Sequence, residues 1–198
     1  MPLLATYVRL RQISFYDPGR GNNALSGEIR ILNLLKLAYE SPKVALRPID
    51  WRQDRQRERL LRVPIVCDCG SANLSGVAII GTAWTDEPDA RVTFQLTMDV
   101  DGKDFRIARI DWRPRQPHTN RVGPPTLRGL TAYTSIHDFP ENADLGLEAM
   151  QTGNLPVVKK IDPEPADFNE LLAYLSVTFG VENASEIPVP PWSQQLVF

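Results

Sequence analysis

The sequence predicts one α+β domain over residues 1–198, in which an antiparallel β-meander packs against two main helices and the last residues, 187–198, form a proline-rich C-terminal tail. Three observations support this fold class. The length of 198 residues suits a single domain of medium size. Apolar residues recur at helical spacing in residues 24–40 and 165–179. Between these two segments lie four β-like runs, at residues 60–66, 77–84, 91–100 and 103–112.

The last two β-like runs are predicted to form a hairpin, because they flank Asp101-Gly102, a dipeptide typical of two-residue hairpin turns. In the run before this turn, the apolar residues that alternate with polar ones are Val92, Phe94, Leu96 and Met98. Such alternation is typical of antiparallel strands with one buried face. We expect a sheet of about four to six strands. Two further candidate strands are residues 4–15 and 130–139.

Both helices have recognisable ends. Asn23 is a suitable N-cap for the first helix, which is expected to end near Pro42 because a residue that precedes proline avoids the α conformation. Pro165 suits the first turn of the second helix, and Gly180 suits its C-terminal cap. The apolar stripe of the second helix consists of Phe168, Leu171, Leu172 and Leu175.

Charge is distributed unevenly along the chain. Residues 1–128 contain 20 Lys and Arg against 14 Asp and Glu, whereas residues 129–198 contain 2 against 10, so that charges of +6 and −8 give the total of −2. Seventeen of the 22 basic residues are arginine, which binds phosphate and carboxylate in a bidentate manner. This pattern is consistent with a nucleic-acid-binding face. The alternatives are a basic half that docks on the acidic half, within the chain or across a dimer, and an arginine-biased genome. Residues 47–62, which hold six Arg, are interpreted as a connector with a solvated face.

The sequence contains no apolar run near the roughly 20 residues that span a bilayer, and no signal-peptide pattern. Cys67 and Cys69 are separated by one residue, and a disulfide across so small a loop would be strained. We therefore predict reduced thiols in a cytoplasmic protein that does not bind membranes.

The most informative segment runs from Arg109 to Asp138, because it contains the chain's two histidines, His118 and His137. Imidazole is well suited to proton transfer near neutral pH. A pair of imidazoles beside arginines would permit metal-independent RNA cleavage, with one ring as base and the other as acid. The candidate phosphate ligands are Arg115, Arg121 and Arg128, and the candidates for orienting an imidazole are Asp111 and Asn120. The alternative is that His118 makes loop hydrogen bonds and His137 packs at the end of a strand.

The order of motifs in residues 91–180 resembles that of small bacterial toxin-like proteins of the TumE type and related bacterial and phage proteins. The matching features are Arg109, Asp111, Pro117, His118, Asn120, His137 and the helix around residues 168–175. Those families often carry His-x-His on the second strand, where this chain has Ser135-Ile136-His137. The resemblance implies a toxin–antitoxin or phage-defence context, with RNA as target and an antitoxin protein as partner.

Metal sites and base stacking are the remaining candidates. A Cys2His2 set from Cys67, Cys69, His118 and His137 lacks the usual zinc spacing. An oxygen-rich set of His137, Asp138, Glu141 and Asp144 would suit Mg²⁺ or Mn²⁺, although these carboxylates are also typical of a solvated face. The four tryptophans, Trp51, Trp84, Trp112 and Trp192, would either stack on bases or fill the core, and we expect Trp192 to pin the tail.

Two functional hypotheses follow from the sequence. The first is a toxin-like bacterial protein that acts on or binds RNA, as a metal-independent ribonuclease if it is an enzyme. The second is a non-catalytic interaction protein that associates with itself as a homo-oligomer or with a partner protein. Neither hypothesis requires a cofactor.

Overall fold

The computed structural model describes residues 23–151 and 155–193. The predicted strand at residues 4–15 and the end of the predicted tail lie outside the described residues. The α-helices are α1 (Asn23–Glu40), α2 (Phe139–Ala143), α3 (Leu147–Gln151) and α4 (Phe168–Phe179). The long strands are β3 (Leu60–Asp68), β4 (Val77–Trp84), β5 (Val92–Val100) and β6 (Lys103–Trp112). The short strands are β1 (Val44–Ala45), β2 (Arg52–Gln53), β7 (His118–Thr119), β8 (Thr131–Ala132), β9 (Ser135–His137) and β10 (Lys159–Lys160).

The strands form a large antiparallel sheet, which confirms the predicted α+β class. Its order is β1-β3-β4-β5-β6-β9-β10, and β2 pairs with β3 beside this path. Within the described residues this sheet has eight strands, more than the four to six expected, because strands of two or three residues at the edges are too short to show alternation. Asp101 and Gly102 both have positive φ and join β5 to β6, as the hairpin prediction required.

The helices α1 and α4 pack on one face of the sheet, here called the inner face. The ring of Phe94 on β5 lies 6.2 Å from that of Phe168 on α4. The core includes the fully buried residues Leu35, Val63, Ile65, Ile79, Leu96, Ile107, Leu171 and Leu175. Because strand side chains alternate between faces, the polar residues of the same strands lie on the opposite, outer face.

Lys43 links the C-terminal ends of the two long helices. Its side chain is fully buried, and Nζ donates to Ser41 O at 2.6 Å, Phe179 O at 2.8 Å and Tyr39 O at 3.1 Å. Carbonyl groups at a helix C-terminus have no partner within the helix and carry partial negative charge. Lys43 therefore supplies donors to the ends of α1 and α4 together.

The C-terminal part of the described chain returns across the body of the protein. Trp51 Nε1 donates to Pro188 O at 2.7 Å, and the ring of Trp192 packs edge-on against Phe168 at 5.8 Å. Ser193 N then donates to Thr85 O at 2.8 Å. Trp192 thus holds this part of the tail as the sequence predicts.

Candidate functional site

The outer face of the sheet carries two rows of side chains that cross several strands, and most of these side chains are polar. In the first row, cross-strand pairing connects Pro64, Ile80, Gln95, Arg109 and His137. In the second, it connects Arg62, Thr82, Thr93, Asp111 and Ser135. The row members on β3 are exposed, those on β4, β5 and β6 are partly exposed, and those on β9 are buried. The two rows therefore run from an open end at β3 to an enclosed end at β9.

At the open end lies a cleft of about 500 Å³, here called the arginine cleft. It is lined by Arg52, Gln53, Asp54, Arg55, Gln56, Arg62, Pro64 and Ile80. Three guanidinium groups thus face one carboxylate. One wall of this cleft belongs to the Arg-rich segment at residues 47–62, for which the sequence predicts a connector with a solvated face. The high density of arginine in this segment was visible in the sequence. The cleft itself was not predictable, because the sheet residues that face this segment are distant from it in sequence.

Asp54 organises the turn that forms this wall. Its Oδ1 accepts hydrogen bonds from the backbone N–H groups of Gln56 at 2.9 Å and Arg57 at 3.1 Å, and its Oδ2 lies 3.5 Å from Arg62 Nη1. The backbone bond from Gln56 is the largest cause that lowers the pKa of Asp54. Arg52 and Arg55 make no ion pair with any part of residues 23–151 or 155–193, so their charges are not neutralised by the described chain.

At the enclosed end, the structure brings the two histidines together. The ring centroids of His118 and His137 are 5.0 Å apart in an edge-to-face arrangement. His137 Nε2 lies 2.6 Å from Arg109 Nη2 and 2.9 Å from Asp111 Oδ2, and its Nδ1 contacts Leu155 O. The ring of His137 is fully buried, whereas His118 is partly exposed.

These contacts place a proton on Nδ1 of His137, and burial decides the charge of the ring. Leu155 O is an acceptor, so Nδ1 must carry a proton. Nε2 lies between a donor, Arg109 Nη2 at 2.6 Å, and an acceptor, Asp111 Oδ2 at 2.9 Å, so it accepts from Arg109 in a neutral ring and would donate to Asp111 in a charged one. Burial, assisted by the charge of Arg109, lowers the pKa of His137, which agrees with a neutral ring.

Asp111 balances the charge of Arg109. Its Oδ2 accepts from Arg109 Nε at 2.9 Å, and its Oδ1 accepts from Thr93 Oγ1 at 2.9 Å. Burial alone would raise the pKa of Asp111, but its contact with His137 and the Arg109 guanidinium outweigh burial and lower the pKa to about 2. The carboxylate is therefore ionised at neutral pH.

Both nitrogens of His137 are consequently engaged, and neither reaches solvent. A general acid or base must lie within hydrogen-bonding reach of the group that it serves. His118 Nε2 is also engaged, with Pro156 O at 2.9 Å. This geometry does not support acid–base chemistry shared by the two rings, even though they are adjacent.

What the histidines do instead is hold residues 155–158, here called the clamped segment. Leu155 O and Pro156 O are bound by His137 and His118 as described above. Asn142 pairs with both backbone groups of Val157 at 2.9 and 3.0 Å, and Asn120 pairs with those of Val158 at 2.9 and 2.8 Å. Four consecutive residues are therefore each fixed by a side chain that reaches the backbone.

The predicted orienting and phosphate-binding residues are dispersed. Asp111 contacts His137, whereas Asn120 serves the clamped segment. Arg115 binds Glu87, which also accepts from Arg91 Nη1 at 2.6 Å. Arg128 Nη2 donates to Gly123 O at 3.3 Å, and Arg121 is exposed without a hydrogen bond to the described chain. These contacts do not bring the three arginines together around the histidines.

The candidate metal ligands are likewise separated or already paired. Cys67 and Cys69 are reduced and buried in the core on the inner face, whereas His137 lies on the outer face. Asp138 and Glu141 bind Lys159 Nζ at 2.9 and 2.7 Å. Among the described residues, no group of three or more His, Cys, Asp or Glu side chains is arranged to hold a metal ion.

Trp84 is a candidate for stacking on the outer face, since it belongs to the outward-facing positions of β4. The guanidinium of Arg91 lies 3.8 Å from the centroid of its ring. Trp112, by contrast, is fully buried, and its Nε1 donates to Pro165 O at 3.0 Å.

No protein-family model matches the chain, and no curated protein or solved structure matches it significantly. The resemblance to TumE-type proteins therefore stays a prediction. None of the helices in the described part of the chain is long and apolar enough to cross a membrane.

Proposed function

We propose that this protein binds RNA through the outer face of its sheet, with the arginine cleft as the main phosphate-binding region. The observation that carries the proposal is the cleft itself, where Arg52, Arg55 and Arg62 converge and two of them lack an ionic partner in the described chain. Arginine is the side chain best matched to phosphate, because its planar fork donates two parallel hydrogen bonds.

The surroundings of the cleft favour a polyanion over a single small anion. Arg109 lies in the same cross-strand row as Ile80 of the cleft, two strands away. Neighbouring strands are about 4.8 Å apart, so Arg109 is about 10 Å from the cleft. A chain of phosphates is long enough to reach both places, whereas one small anion occupies only the cleft. Because Asp111 already offsets the charge of Arg109, Arg109 is the weaker phosphate site of the two.

In this proposal the protein binds RNA without cutting it by a two-histidine mechanism. The enclosed His137 leaves no imidazole pair to act on a phosphate, and His118 and His137 position the clamped segment beside the outer face. Of the two forms of the toxin-like hypothesis, acting on RNA or binding it, the proposal therefore keeps RNA binding.

The test is the affinity of the full chain for a fluorescently labelled RNA of about 12 nucleotides, measured by anisotropy at several salt concentrations. The double variant R52Q/R55Q should bind at least about tenfold more weakly at low salt. Its plot of log affinity against log salt should be shallower by about 1.4, since each lost phosphate contact removes about 0.7.

The matched control is Arg30→Gln, which removes an exposed arginine from α1 in the helical layer. It should change the affinity by less than about twofold, because screening removes the influence of distant surface charges. Absence of RNA binding at low salt, or an equal loss in both variants, would contradict the proposal. Discrete oligomers without RNA binding would favour the interaction-protein hypothesis.

A further inference from the structure

The arginine cleft has a feature that phosphate binding does not require. Beside its charged side chains, the lining includes two apolar side chains that are directly paired across the strands, Pro64 on β3 and Ile80 on β4, here called the apolar floor. Pro64 is exposed and Ile80 is partly exposed. The cleft volume of about 500 Å³ lies within the range of sites that hold small organic molecules.

We infer that the arginine cleft receives one unpaired nucleotide, with its base over Pro64 and Ile80 and its phosphates at Arg52 and Arg55, so that the outer face selects single-stranded RNA over duplex. This inference rests on the proposed function and specifies its ligand. The cleft distinguishes the two RNA forms because it places guanidinium groups, which bind phosphate, next to the apolar floor, which binds the face of a base.

A duplex cannot satisfy both parts of the cleft. In an A-form helix the bases are stacked on each other, and the protein meets phosphates, 2′-hydroxyls and the edges of bases in a shallow groove. An unpaired nucleotide offers a flat apolar base face as well as its phosphate, and such faces are bound without strong sequence preference. The apolar floor therefore stabilises a single strand specifically.

The neighbouring residues in the row continue the path beyond the cleft. Ile80 pairs with Gln95, and Gln95 pairs with Arg109. The Gln95 amide offers a donor and an acceptor to the edge of a base, and Arg109 keeps its guanidinium partly exposed beside the neutral His137. This row of the outer face therefore presents, in order, two apolar side chains, one amide and the ion-paired guanidinium of Arg109.

Asp54 does not block the phosphate, because its carboxylate is already committed to two backbone N–H groups and to Arg62. It instead fixes the turn that carries Arg52 and Arg55. The unneutralised charge of the cleft therefore comes from the two arginines that remain free to move to the ligand.

The experiment compares the full chain bound to a single-stranded oligouridine of about 12 nucleotides with the same chain bound to a blunt RNA duplex of equal length. The unmodified protein should bind the single strand at least about tenfold more tightly. Ile80→Gln should weaken single-strand binding about fivefold to tenfold and leave its salt slope unchanged, because no phosphate contact is lost.

Val66→Gln is the matched control, since Val66 is an exposed β-branched residue of β3 that does not line the cleft. It should leave both affinities within about twofold of the unmodified protein. The comparison of single strand with duplex uses the unmodified chain, so it remains decisive even if Ile80→Gln destabilises the fold.

Equal affinity for the two RNA forms would overturn the inference and leave the proposed function standing. Loss of binding in Val66→Gln as large as in Ile80→Gln would overturn the assignment of the base to the cleft. Failure of the unmodified chain to bind either RNA at low salt would overturn the proposed function and this inference with it.

Discussion

The imidazole of His118 meets the imidazole of His137 edge to face at 5.0 Å, yet only His118 is partly exposed. A shared catalytic role requires that the two rings lie close together, and in the structure they do. It also requires that both rings reach the substrate, and His137 cannot, because it is enclosed between Arg109 and the clamped segment. The pair is better explained as a structural connection between the sheet and residues 155–158.

Replacing His137 should therefore cost stability more than replacing His118. His137→Ala leaves a buried carbonyl of Leu155 and the partly exposed ion pair of Arg109 and Asp111 without one of their partners, and it empties a fully buried position, so we expect a loss of about 2–4 kcal/mol. His118→Ala, at a partly exposed position, should cost about 1 kcal/mol. Urea unfolding followed by circular dichroism measures both. Equal losses would contradict a role for His137 as the buried element of the network.

The stability of the protein should decrease as the pH falls below about 6.5, the usual pKa of histidine in an unfolded chain. Burial lowers the pKa of His137 in the folded state. As the pH falls, His137 therefore becomes protonated in the unfolded chain before it does in the folded protein, and this protonation stabilises the unfolded chain. The loss continues until the pH reaches the folded pKa. The pKa of Asp111 is lowered to about 2 in the folded state, so Asp111 contributes stability that is lost progressively as the pH falls from about 4, near the pKa of an unfolded aspartate, to about 2.

The measurement is the free energy of unfolding between about pH 7.5 and pH 5 for the unmodified protein and for His137→Gln. The variant should show a weaker pH dependence over this interval. A stability that rises as the pH falls through about 6.5 would mean that His137 is charged in the folded state, contrary to the lowering of its pKa by burial.

Lys43→Met should destabilise the fold by about 1–3 kcal/mol, because it leaves three helix-end carbonyls without their donor. The matched control is Lys36→Met, which removes an exposed lysine of α1 whose ion pair with Glu40 spans 3.8 Å. Exposed ion pairs of this kind contribute little, so the control should stay within about 0.5 kcal/mol. Thermal unfolding of both variants tests this contrast, and similar melting temperatures would contradict the role of Lys43.

Gly81→Ala should also destabilise the protein, by about 1–3 kcal/mol. A Cβ at this position would lie 2.5 Å from Val63 Cγ1, 2.9 Å from Phe94 Cε1 and 3.1 Å from Trp51 Cη2. Gly27→Ala is the control, since a Cβ there meets no atom within 4 Å and alanine favours the helix by about 0.5–1 kcal/mol. Chemical denaturation should therefore move the two variants in opposite directions.

Local signals in the sequence predict the long elements well. The turn at Asp101-Gly102 and the alternation in β5 identify the central hairpin, and the stripe and glycine cap identify α4. The structure begins α4 at Phe168 instead of Pro165, because Asp167 caps it by accepting from the backbone N–H of Glu170. Such features depend on interactions between residues that are close in the chain, so a short stretch of sequence is enough to predict them.

Long-range pairings could not be predicted in the same way. The clamped segment has no repeating pattern, since its backbone is bound by side chains from β7–β8, β9 and α2. The arginine cleft forms because the turn after β2 faces Ile80 of β4. This placement follows from the register of the sheet, which the sequence alone does not reveal. The two histidines are near in sequence, but the burial of one of them depends on this same tertiary arrangement.

The most direct test of the account is a nuclear magnetic resonance titration of the isotopically labelled full chain with a short single-stranded RNA. The account predicts chemical-shift changes concentrated in Arg52–Gln53 of β2, at Pro64 and Ile80 of the cleft and at Gln95 beside it. Changes confined to α1 and α4, or no changes at saturating RNA and low salt, would contradict RNA binding by the outer face.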